Sequence, residues 1–161
     1  MSLFRTLTSN YIINVGATSW VLAQLLKTFF TLIFTKKFEP ERLFGAGGMP
    51  SSHSALTSSI AVAMARKLGA SSPEFGLALA LAAIVMYDAM GVRRAAGEQA
   101  RVLNRILFSR PEKPPEQIEQ TTENEPNVPN KQLKEYLGHT PLEVLGGFAL
   151  GVIVSIFMPV T

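Results

Sequence analysis

The stretch FGLALALAAIVMYDAMGV, residues 75–92, carries one charge, Asp88, near its end. A bilayer's hydrocarbon core takes about 20 apolar residues as a helix, and this segment meets that length without amphipathic patterning. Working outward, residues 15–35 read the same way, with Gln24 and Lys27 as polar interruptions. A shorter apolar helix rich in serine and threonine starts at Ser52 and runs to about Leu68. Residues 144–160 form the last span. The expected fold is therefore all-α: a polytopic membrane bundle of about four apolar helices, the second short and buried among the others. A soluble helical bundle is the competing reading, and the lack of amphipathic faces on the spans argues against it.

At 161 residues the chain is expected to be a single membrane domain. Its hydrophobic fraction of 47% and mean hydropathy of +0.22 are diluted by one polar stretch near residues 109–131. With no cysteine, disulfides, thiolate catalysis and cysteine metal sites are excluded. The net charge of +3 invites a nucleic-acid reading. The basic residues border apolar segments and lack an aromatic-interleaved polar face, so a membrane surface or a phosphate ligand is expected and nucleic acid is not. The first apolar run starts late and lacks a basic leader, so no cleavable signal peptide is expected.

Residues 93–108 differ from the spans. Val102, Leu103, Ile106 and Leu107 alternate with Gln99, Arg101 and Arg105 at helical spacing, which predicts one amphipathic helix at the membrane interface. The proline-, glutamate- and asparagine-rich stretch at about 109–131 cannot bury a core and is expected to be a flexible loop. Gly147 and Gly151 share a face of the last span. That spacing permits close helix contact, as a homo-oligomer interface or, more commonly, as packing within one chain. Four spans put loops 36–50 and 93–140 on one side, with most of the lysines and arginines, against Arg5, Arg66 and Lys67 on the other. Charge asymmetry then places the loop side in the cytoplasm, at a plasma membrane or an organelle membrane such as the thylakoid.

The unusual polar residues fall on that same side. Gly47-Gly-Met-Pro-Ser-Ser-His-Ser54 opens directly into a helix, whose start offers backbone N–H groups and positive dipole ends suited to phosphate. His53 stands there as a proton handler. Downstream, His139 precedes Glu143 by one helical turn. A carboxylate so placed can hold one ring N–H and leave the other nitrogen free to attack. An exposed i, i+4 pair is the bland alternative. A phosphoryl group in transfer also needs cationic donors, and Arg42, Arg93 and Arg94 are candidates. Lys27 and Asp88, costly inside spans, are expected to pair beneath the site, unless Lys27 snorkels to the interface.

These blocks resemble the small, divergent membrane branch of the type-2 phosphatidic acid phosphatase superfamily, relatives of lipid phosphate phosphatases and vanadium haloperoxidases. The matching blocks are residues 42–55, RLFGAGGMPSSHSA; 86–100, MYDAMGVRRAAGEQA; and 137–144, LGHTPLEV, with AQLLK at 23–27 before them. The resemblance implies a nucleophilic His139 that forms a phosphohistidine, Glu143 as its orienting acid, and His53 as the acid for the leaving alcohol. It implies a phosphate cradle from Ser51 and nearby amides, here drawn from Gly48, Ser52, Arg42 and Lys27 as well. It implies no metal and no cofactor. The superfamily's Ser-Arg pair before the nucleophile is missing, since Gln132-Leu133 occupy those positions. The phosphate-binding arginine is therefore expected from Arg93 or Arg94.

The expected function is an integral membrane phosphatase acting on a lipid-linked phosphate or pyrophosphate ester, its amphiphilic substrate drawn from membrane lipid. Two alternatives stand beside it. One is a non-catalytic protein that binds or moves an anionic headgroup with the same pocket. The other is a metal hydrolase using His53, His139, Glu143 and Asp88.

Overall fold

A computed structural model of the chain describes residues 9–35, 48–108, 133 and 138–160. Within them run helices α1 (Tyr11–Thr35), α2 (Ser52–Leu68), α3 (Pro73–Met90), α4 (Val92–Phe108) and α5 (Pro141–Phe157). The loop expected at about 109–131 lies outside the described residues, as does Arg42.

The centre of the bundle is α2, which packs against α1, α3 and α5. Its composition explains why. Ser52, Ser54, Ala55, Ser58, Ser59, Ala61 and Ala63 are buried, and side chains this small let neighbouring backbones approach closely. Gly147 and Gly151 complete the α2–α5 contact: a methyl group on Gly147 would strike the Ser51 carbonyl oxygen, and one on Gly151 the Ser58 hydroxyl. That glycine face packs on α2 within the chain. Hydroxyls bridge the same seams. Ser19 Oγ on α1 donates to the Ala55 carbonyl at 3.0 Å, and Ser58 Oγ donates to the Phe148 carbonyl at 3.3 Å. Such interhelical bonds contribute roughly 0.6 kcal/mol each in a membrane.

The outside reverses the inside. Leu77 is 73% exposed, Ile84 65% and Phe157 82%, while buried polar side chains include Ser19, Lys27, Ser54 and Ser58. A chain dissolved in water sorts these residues the other way; lipid favours this arrangement. Among the described residues one helical run, Pro73–Ile106, is long and apolar enough by itself to cross a membrane. Three further apolar helices, α1, α2 and α5, complete the four-helix bundle expected. At 17 residues each, α2 and α5 rise about 25 Å against a hydrocarbon core of about 30 Å. At 25 residues, α1 rises about 38 Å, enough to cross the core with Gln24 and Lys27 inside it.

The four apolar helices alternate in direction, so their ends gather at two faces. At one face Arg66, in the last turn of α2, donates to Tyr11 Oη (3.1 Å) and to the carbonyls of Ser155 and Met158. This cation ties the start of α1 to the end of α5, where carbonyls carry the negative end of the helix dipole. The opposite face collects the starts of α2 and α5 and the end of α3. From there α4 departs after a turn at Gly91, and among the described helices it touches only α3. Its Val92, Val102, Leu103 and Ile106 are exposed, as an interfacial helix requires, and its buried Asn104 clamps the backbone of Leu133. The amide donates to the Leu133 carbonyl (2.8 Å) and accepts its N–H (2.9 Å).

Candidate active site

Three chain segments meet at this second face, and backbone bonds lock them. The Ser51 N–H donates to the Glu143 carbonyl (2.9 Å), joining the start of α2 to that of α5. The His139 N–H donates to the Ala89 carbonyl (2.9 Å), joining the approach to α5 to the end of α3. Gly138 makes that approach possible. Its φ is +92°, and a side chain there would collide with the backbone of Arg93 and Arg94. Histidine 139 is thereby set beside the α3–α4 joint.

Thr140 starts α5 with a capping box. The Glu143 N–H donates to Thr140 Oγ1 (3.3 Å), and the Thr140 N–H donates back to Glu143 Oε2 (2.9 Å). The same Oε2 lies 3.2 Å from His139 Nδ1. A cap that fixes the carboxylate thus fixes the imidazole through it. With Nδ1–H directed to Glu143, the ring's lone pair resides on Nε2. Burial holds His139 below the ordinary imidazole value of 6.5, against the upward pull of Glu143, and Lys27 and Arg93 add to the lowering.

His139 and His53 line one cavity of about 200 Å³, together with Ile84, Val85, Asp88, Ala89 and Arg93. The two imidazoles, 86 positions apart in the chain, face a shared space. Arg93 brings the cavity's positive charge, and its Nε donates to Asp88 Oδ2 at 2.6 Å. Arg94 instead pairs with Glu98 (3.2 Å) and is absent from the lining. Of the two arginines, Arg93 lines the cavity and Arg94 does not.

Other expected residues stand elsewhere. Ser51 and Ser52 are buried and do not line the cavity; Ser51 caps α2, its Oγ accepting from the Ser54 N–H and the Ser54 hydroxyl. Gly48, at φ +90°, packs on the methylenes of Lys27, where a Cβ would come within 3.0 Å of Lys27 Cδ. Lys27 itself is 2% exposed. Asp88 is engaged by Arg93 at 2.6 Å in place of the expected pairing with Lys27. Among the described residues no group of three His, Asp or Glu side chains is placed to hold a metal ion. The sequence reading passed over Thr140, although Thr-x-x-Glu is a legible capping pattern, and over the Ala89 carbonyl, for which no sequence signal exists.

The sequence profile of the Divergent PAP2 family matches residues 8–154. The chain belongs to that family. This divergent PAP2 chain is also 34% identical over 154 residues to a Bacillus subtilis (strain 168) protein called "Uncharacterized membrane protein YuiD", a match covering 94% of this chain and 96% of that one. No solved structure matches this divergent PAP2 protein.

Proposed function

We propose that the chain is a membrane phosphatase that hydrolyses a lipid-linked phosphate or pyrophosphate ester through a phosphohistidine, without a metal. One observation carries this reading: both imidazoles and the Arg93 guanidinium line a single cavity at one face of an apolar bundle. In the forward half-reaction His139 Nε2 attacks phosphorus. The P–N bond forms, the P–O bond to the lipid alcohol breaks, and protonated His53 gives its proton to the leaving oxygen. Glu143 stabilises the charge that develops on the imidazole, and Arg93 the charge on the phosphoryl oxygens. Water then attacks the phosphohistidine, His53 takes its proton, and phosphate leaves. Cation-rich loops support a cytoplasmic mouth, which lets a lipid's head reach the site while its tail remains in the membrane.

The test is phosphate release by purified protein from a panel of lipid phosphates, beside His139→Ala and His53→Ala. Release by the parent and loss in both variants supports the reading, and equal release from all three overturns it. A non-catalytic reading, in which the pocket binds or moves a headgroup, is favoured by the 2.6 Å bond that commits Arg93 to Asp88. Phosphate-dependent binding with no release from any lipid would favour it.

A further inference from the structure

A second cavity, of about 290 Å³, lies between α2 and α3, lined by Thr57, Ile60, Met64, Glu74, Leu77, Ala78 and Leu81. It follows the first along the same seam. On α2 the lining passes from His53 to Thr57, Ile60 and Met64, each one turn further on; on α3 it passes from Val85 and Ile84 to Leu81, Ala78 and Leu77. The Thr57 hydroxyl is spent on the His53 carbonyl (2.9 Å), so it presents its methyl to the groove rather than an unpaired donor. From His53 to Met64 the seam descends about 16 Å, at 1.5 Å per residue. Glu74, in the first turn of α3, marks the far end.

We infer that this groove holds a hydrocarbon chain of the phosphate substrate. The inference rests on the phosphatase or headgroup-binding reading of the upper cavity. A polar head cavity and an apolar groove arranged end to end match an amphiphile with its phosphate between the histidines. Amphiphilic phosphates with a long hydrocarbon tail are therefore the substrate class.

The experiment uses the full chain in lipid vesicles, with a single-chain alkyl phosphate bearing a photoactivatable group at its tail end. Labelled peptides are mapped, and phosphate release is measured in parallel across a chain-length series. Leu81→Trp fills the groove from a side chain that is 55% exposed, which leaves bundle packing intact. Labelling should concentrate on residues 57–64 and 74–81, fall at least tenfold in Leu81→Trp, and be displaced by unlabelled alkyl phosphate but not by the matching alcohol. Labelling spread over the outward faces of α1 and α3, or displaced equally by the alcohol, means that bulk lipid fills the groove and overturns the proposal. Groove labelling without phosphate release retains the tail site and removes the catalytic reading. Release without groove labelling does the opposite.

Discussion

One oxygen of Glu143 serves two partners: its Oε2 accepts the Thr140 N–H at 2.9 Å and lies 3.2 Å from His139 Nδ1. The carboxylate is pinned by the start of its own helix, so the imidazole it orients is aimed by secondary structure rather than by a mobile side chain. Orienting groups in phosphoryl and acyl transfer act this way, setting the tautomer and stabilising the charged ring as the bond forms.

The first prediction concerns pH. Burial depresses His139, so in the folded state it is neutral, and nucleophilic, at pH values where a free imidazole is half protonated. The acid limb of the rate profile should therefore fall below pH 6.5. Because Glu143 pulls the value upward, Glu143→Gln should move that limb further to acid while lowering kcat by roughly 10²–10⁴-fold. A limb that stays in place or shifts to higher pH contradicts the pairing. Stability follows the same group. The unfolded chain binds the extra proton first, so stability rises with pH between the folded-state value and 6.5, and is lost as pH drops through that window.

The two arginines should part company. Arg93 lines the cavity and Arg94 does not, so Arg93→Ala should weaken phosphate binding by about 10–100-fold, as expected for one charge-assisted bond of about 1.5–3 kcal/mol. Arg94→Ala should change KM by less than about threefold, since it removes an exposed pair worth about 0–1 kcal/mol. Steady-state kinetics or phosphate-analogue titration checks both, and equal effects would show that the joint acts through helix position alone.

Glycine substitutions test the packing. Gly147→Ala drives a methyl into the Ser51 carbonyl and should cost about 1–3 kcal/mol, seen as a lowered melting temperature of the detergent-purified protein. Gly76→Ala meets nothing within 4 Å on α3 and should be neutral or stabilising by up to about 1 kcal/mol. Similar losses in both would mean that the α2–α5 contact is not close.

Much of this arrangement was legible in the residues. The apolar runs announced helices because nothing in them follows a strand's alternation, and both histidines announced the site because each sits at a helix mouth. Individual partners were harder to foresee. Asp88 and Lys27 both lie inside apolar runs with opposite charge, so pairing them is reasonable one-dimensional logic. The turn at Gly91 brings Arg93 back over the last turn of α3, and a neighbour five positions away takes the carboxylate first. Gly147 and Gly151 posed a similar problem, because spacing reports that something small is needed and not which helix lies opposite. Short apolar helices gain their lipid compatibility from the bundle's shared outer surface, which no single window of sequence displays.

The central claim is a covalent bond between phosphorus and one nitrogen of His139. Protein mixed with a lipid phosphate, quenched in base within a turnover and read by phosphorus NMR, tests it most directly. The account predicts an acid-labile, base-stable phosphoramidate signal that maps to His139 and vanishes in His139→Ala. Phosphate release with no such signal in the parent protein, or a signal undiminished in His139→Ala, would contradict it.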